Sequence, residues 1–126
     1  MITLSKQQIK NLHKMLIEST GGADGIRDDG LLDSALAVAF QTFDGIELYP
    51  SAVSKIARIA YNLIANHPFV DGNKRIGTYA MLVLLELNHI NVDFSDEDII
   101  KMGLDTANGK MNDTQILNLI LERSGE

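Results

Sequence analysis

Within nine residues, His67-Pro68-Phe69-Val70-Asp71-Gly72-Asn73-Lys74-Arg75, the chain gathers a base, a carboxylate suited to a hard metal ion, a glycine turn and two cations. That set of groups can handle a phosphate. Pro68 disfavours helical backbone at His67, Gly72 permits a tight turn, and an apolar run begins at Ile76. A loop is therefore expected to feed the N-terminus of a helix, where unpaired NH groups and the positive end of the dipole attract anions. Lys74 and Arg75 at such an end are disfavoured by the dipole, by about 0.3 to 1 kcal/mol each at exposed sites, unless an anion lies between them and the helix. A bound polyphosphate is the expected anion, met by Gly72, Asn73, Lys74 and Arg75. Asp71 offers an oxygen ligand to magnesium, which typically combines one or two carboxylates with phosphate oxygens and water. His67 is the candidate base toward an attacking hydroxyl, because imidazole is the side chain that ordinarily exchanges protons near neutral pH.

Each of these residues also has an ordinary reading. His67 alone fits a partly buried histidine at a helix C-terminus, Asp71-Gly72 a cap and turn, Lys74 and Arg75 a solvated pair, and Phe69 a core anchor. Their joint order and close spacing favour the functional reading for the set.

At these positions the chain resembles the Fic/Doc family, whose motif reads His-Pro-Phe-x-Asp/Glu-Gly-Asn-Gly/Lys-Arg. Lys74 stands where most AMP-transferring members have glycine, and Thr78 where they commonly carry a second arginine. Both departures make the closer likeness the branch named for death on curing. For that branch the resemblance implies a toxin that moves the terminal phosphate of ATP, with Mg2+, onto a threonine of elongation factor Tu and so stops translation. Lys74 would fill space and charge that glycine leaves to the nucleotide's phosphates, turning the terminal phosphate toward His67. The alternatives are an AMP transferase built from the same residues, or a helical binding module without turnover. No Ser or Thr precedes a glutamate by four residues: the residues four before Glu18, Glu47, Glu86, Glu97, Glu122 and Glu126 are Lys14, Phe43, Leu82, Asp93, Asn118 and Glu122. The inhibitory motif of many family members is thus missing, and the implied restraint is a Phd-like antitoxin. The segment Phe43 to Tyr49 is, by the same resemblance, a flap that aligns a protein substrate; by sequence alone it is a loop with a short extended piece.

At 126 residues and 45% hydrophobic content the chain suits one domain, residues 1–126. It has no cysteine, which excludes a cysteine nucleophile and gives no sign of an oxidising compartment. Met1 to Lys6 lacks a secretory pattern, so a cytoplasmic protein is expected. The net charge of −6 and a pI near 4.9 disfavour direct binding of nucleic acid. The apolar run Ile76 to Leu85 falls far short of the roughly 20 residues that span a membrane.

Helical periodicity dominates, predicting an all-α, six-helix bundle around a buried central helix. Ser5 with Gln8 forms a capping box, and Ile9, Leu12, Met15 and Leu16 a stripe that Gly21-Gly22 ends. Asp28 or Asp29 caps a second helix, with Leu31, Leu32, Ala35, Leu36, Ala39 and Phe40 on one face. A third helix, from near Ser51, aligns Val53, Ile56, Ala57, Ala60, Leu63 and Ile64. One further turn of that stripe reaches His67, whose ring is expected on the interior side. The fourth and central helix runs from about Asn73 to Leu87. Ser95 with Asp98 caps a fifth through Ile99, Ile100, Gly103 and Leu104, and Asn112 starts a sixth through Ile116, Leu117 and Ile120. The end, from about Arg123, is expected to fray. His13, at the edge of an apolar face, and His89, in the turn Asn88 to Asn91, read as structural or exposed.

Overall fold

A computed structural model describes residues 1–125, leaving Glu126 outside. It contains six helices, α1 (Lys6–Thr20), α2 (Asp29–Ala37), α3 (Ala52–Ala65), α4 (Asn73–Leu87), α5 (Asp96–Ala107) and α6 (Asp113–Arg123). A 3-10 turn, Val38–Phe40, follows α2, and a short hairpin pairs β1 (Thr42–Phe43) with β2 (Ile46–Glu47). The expected all-α bundle is therefore what these residues form.

Side-chain caps start most of the helices. Ser5, Ser51, Ser95 and Asn112 each close a reciprocal capping box, and Asp28 rather than Asp29 caps α2 through the Leu31 NH. Helix α4 differs: its N-cap is Gly72, in the left-handed region at φ 76°, and no side chain caps it.

The core is an α3–α4 pair. Ile56, Ala57, Ile59, Ala60, Leu63 and Ile64 of α3 meet Ile76, Ala80, Met81, Leu84 and Leu85 of α4, all buried. Helices α1 and α5 flank α4, while α2 and α6 cover α3. Leu82 and Val83 are only partly buried and Leu87 is exposed, so enclosure of the central helix is shared with α3. Gly77 permits the close approach, because a Cβ there would fall 2.4 Å from Ile64 Cγ1 and 3.2 Å from the Ala60 carbonyl oxygen.

Four expectations about helix faces and ends change. In α1 the buried line is Ile9, His13 and Ile17, with Met15 exposed; the face turned inward is the one that meets the loop before α4. Phe40 lies beyond the end of α2 and is exposed, with the Lys55 ammonium 5.7 Å from its ring. In α5 the buried residues are Met102, Gly103 and Thr106, so Ile100 and Leu104 face outward. Arg123 ends α6 in a bidentate contact with Asp98, at 2.8 and 3.0 Å, rather than loosening before it; the fraying expected of Glu126 lies outside the described residues.

The hairpin turns at Asp44 (φ 51°) and Gly45 (φ 77°), the pair of left-handed residues that a two-residue turn of this twist needs. Phe43 and Ile46 are each 70% exposed. Its base is fixed by the buried Lys55, whose ammonium donates to Glu47 Oε1 at 2.9 Å and to the Tyr49 carbonyl.

Candidate active site

Helix α3 ends at Ala65, and the chain leaves it through His67 at φ 47°. A left-handed conformation costs a residue with a Cβ roughly 1 to 2 kcal/mol. It also ends the helical period, so His67 does not continue the α3 stripe: its side chain is exposed and lines a surface pocket, not the interior. Pro68 and Phe69, in contrast, are buried.

The turn is held by a segment 40 residues earlier. Ile26 bridges Phe69 in antiparallel fashion. The Arg27 and Asp28 NH groups donate to the Pro68 carbonyl at 2.8 and 3.0 Å, and the Val70 NH donates to the Gly25 carbonyl at 3.1 Å. The Arg27 guanidinium reaches further back, donating from Nε to the His67 carbonyl at 2.6 Å and from Nη2 to the Asn66 carbonyl at 2.8 Å.

Asp71 accepts the Gly72 NH on Oδ1 at 2.8 Å and the Ala23 NH on Oδ2 at 3.2 Å. Those two backbone donors, Gly72 first, hold its carboxyl below the usual carboxylate range, with smaller help from Arg75 and His13. It is therefore ionised at neutral pH. Gly22, at φ 116°, makes room for this arrangement, since a Cβ there would sit 2.6 Å from Asp71 Oδ2 and 2.9 Å from Arg75 Nη2. His13 is 1% exposed, lies against Phe69 with ring centroids 3.8 Å apart, and places Nε2 2.7 Å from the Asp71 carbonyl oxygen. Because a carbonyl only accepts, Nε2 carries the proton. Of the two readings of His13, structural or exposed, the structural one agrees with this geometry; its place is corrected from the edge of the apolar face to a buried position under Asp71.

At the start of α4 the three polar residues divide their work. Asn73 is buried, and its carboxamide clasps the backbone of Phe69, accepting its NH at 3.0 Å and donating to its carbonyl at 3.1 Å. Lys74 is exposed and has no ion-pair partner among the described residues. Arg75 donates to the Thr20 hydroxyl and to the Gly21 carbonyl, the latter at 2.6 Å, and lies 3.8 Å from Asp71 Oδ1.

His67, Asp71, Gly72, Asn73, Lys74 and Arg75 all line one pocket of about 640 Å³, completed by Val70, Ala107 and Asn108. That is the size of small-molecule sites. Its floor is the uncapped start of α4, where first-turn NH groups have no partner within the helix. No cluster of three or more metal-ligating side chains occurs among the described residues. The donor set around Asp71, one ionised carboxylate with further lone pairs, suits a magnesium ion that arrives with phosphate oxygens rather than one held by protein alone.

A family model described as the Fic/DOC family matches residues 3–85. This chain belongs to the Fic/DOC family. Within it, the sequence is similar to a protein named Toxin Doc from Mycolicibacterium smegmatis, at 39% identity over 72 residues. The match takes in 57% of this chain and 55% of that protein, so the chain spans about half the length of the relative. Ala107 and Asn108 lie beyond the stretch matched to the Fic/DOC family, so one wall of the pocket comes from the last residue of α5 and its C-cap, outside it.

Arg27, His13, Gly22, Ala23 and Asn108 were not foreseen as parts of this site. Gly21-Gly22 read only as a helix stop, and nothing local in Asp24 to Asp28 signals a bridge to Phe69. The partners are too distant in sequence for spacing to reveal them.

Proposed function

We propose that this protein is a Doc-like toxin that transfers the terminal phosphate of ATP to a protein hydroxyl, with a threonine of elongation factor Tu as the expected acceptor. The observation that carries the reading is one pocket joining an exposed histidine, an ionised aspartate and the uncapped, cation-bearing start of a buried helix. Phosphates lie against the α4 NH groups, with Lys74 and Arg75 countering their charge. Asp71 would be the protein ligand of a magnesium ion, which when bound would supply charge neutralisation at the phosphates. His67 takes the proton of the attacking hydroxyl as its oxygen bonds to the terminal phosphorus; the bond from that phosphorus to the bridging oxygen breaks, and ADP leaves. Positioning and charge stabilisation supply most of the rate, as phosphoryl transfer requires.

Transfer of phosphate rather than AMP is favoured by Lys74 and Thr78. Lys74 is an exposed cation in the pocket wall, and Thr78 is buried with its hydroxyl donating to the Lys74 carbonyl at 2.9 Å, leaving no second arginine to grip the nucleotide. Restraint is assigned to a Phd-like antitoxin, since the chain has no inhibitory glutamate motif. Action in the cytoplasm follows from that target; among the described residues no helix is long and apolar enough to cross a membrane.

The test supplies ATP labelled on either the alpha or the gamma phosphate, with elongation factor Tu as acceptor. Gamma label on the acceptor is the expected result. Alpha label would replace this reading with AMP transfer, and no label with either would favour a binding module.

A further inference from the structure

We propose that Arg27 is a positioning residue for His67, fixing the backbone from which the imidazole projects. The inference rests on the reading of His67 as the proton acceptor, and it concerns a residue that never lines the pocket.

Three consecutive carbonyls at the end of α3 converge on Arg27. Its side chain takes those of Asn66 at 2.8 Å and His67 at 2.6 Å, and its own NH takes that of Pro68 at 2.8 Å. The backbone on either side of His67 Cα is thereby tied to one residue. Two facts make that tie matter. His67 sits at φ 47°, where a residue with a Cβ stays only if neighbours hold it. Its exposed imidazole makes no hydrogen bond among the described residues, so where the ring sits depends on the backbone from which it projects. The chemistry selects arginine: a planar guanidinium meets two carbonyls at once from Nε and Nη2, which a single ammonium on a flexible stem cannot reproduce in the same geometry.

Arg27 itself is exposed. Its removal should therefore leave the bundle folded while the turn loses its register. A displacement of the base by about 1 Å costs on the order of 10²-fold in rate.

The experiment compares wild type, Arg27→Ala, Arg27→Lys, His67→Ala and the Arg27→Ala/His67→Ala double variant in transfer from ATP to elongation factor Tu. Expected results are a kcat lowered about 10²-fold in Arg27→Ala with KM for ATP unchanged, a smaller loss in Arg27→Lys, and no further loss when Arg27→Ala is added to His67→Ala. Equal losses in both backgrounds, or a loss carried by KM, would overturn the proposal, because a general structural defect acts whether or not the base is present. A second readout needs no turnover: the imidazole carbon-proton resonances of His67 should move in Arg27→Lys, while those of the buried His13 stay. If wild type transfers nothing, the kinase reading falls, and the resonances alone decide Arg27; an unmoved His67 signal would refute it.

Discussion

Replacing Gly77 with alanine tests the helix contact on which the site is built. By helix propensity alone the substitution should stabilise, since glycine inside a helix is worth about 1 kcal/mol less than alanine. Packing opposes this. The new Cβ would lie 2.4 Å from Ile64 Cγ1, 3.0 Å from its Cδ1 and 3.2 Å from the Ala60 carbonyl oxygen, whereas carbon atoms rest about 3.5 to 4.0 Å apart. The obstructing carbon is near the root of a fully buried side chain, so a tip cannot simply swing away. Overpacking of this kind costs about 1 to 3 kcal/mol, and the close contact points to the upper part of that range. After the propensity gain, Gly77→Ala should be less stable by about 1 to 2 kcal/mol. Urea unfolding of wild type, Gly77→Ala, Ile64→Ala and the double variant measures this, with Ile64→Ala alone costing about 2 to 5 kcal/mol. In the Ile64→Ala background the clash is gone, and Gly77→Ala should turn neutral or stabilising. A single variant as stable as the parent, or an equal penalty in both backgrounds, would refute the reasoning. Because Ile64 stands one turn before His67 and Gly77 one turn after Asn73, the same wedge should also lower transfer activity.

Three further outcomes follow from individual contacts. Asn73→Ala strips both partners from the buried Phe69 backbone, at a cost of about 2 to 4 kcal/mol; the Phe69 amide should lose hydrogen-exchange protection, and unchanged protection would count against the clasp. His67→Ala should lower transfer by about 10² to 10⁴ with ATP affinity retained, and an unchanged rate would remove His67 as the base. Asp98 is held below the usual carboxylate range first by Arg123 and then by the Ser95 NH, so its folded pKa lies under the unfolded value of about 3.9. Its contribution is present above that value and lost as pH falls through the folded one. Asp98→Asn should therefore lower the urea midpoint at pH 7, with the gap to wild type narrowing in acid; a constant gap would deny the linkage.

Much of the fold was legible because helix starts are written locally. Ser5 with Gln8, Ser51, Ser95 with Asp98 and Asn112 each act within three residues, and the structure uses all of them as caps. The bounds of α4 were legible for the same reason, from Gly72 and the apolar run after it. Errors arose where tertiary contact overrides period. The α3 stripe could not be extended to His67, because a left-handed residue after Ala65 resets the direction of the chain. The inward face of α1 is set by Phe69 and Asp71, which brings a histidine into the core and leaves Met15 outside. The site's central motif was visible as a run of residue types, but its supports were not: Arg27 lies 40 positions from His67 and Ala23 lies 48 from Asp71.

Those supports decide how far Asp71 and Arg75 depend on one another. Arg75 begins committed to the Thr20 hydroxyl, the Gly21 carbonyl and a 3.8 Å approach to Asp71, yet its side chain and that of Asp71 remain 34% and 49% exposed. An ion pair this long and this wet contributes little, so what holds the guanidinium is its pair of hydrogen bonds to the Thr20 hydroxyl and the Gly21 carbonyl. Losing Arg75 would raise the proton affinity of Asp71 if the cation were its main support. It is not: the Gly72 and Ala23 NH groups come first. Asp71 is therefore held ionised chiefly by backbone, not by Arg75. The Gly21-Gly22 break after α1 thus does more than end a helix, because it delivers the Ala23 NH to Asp71 and the Gly21 carbonyl to Arg75.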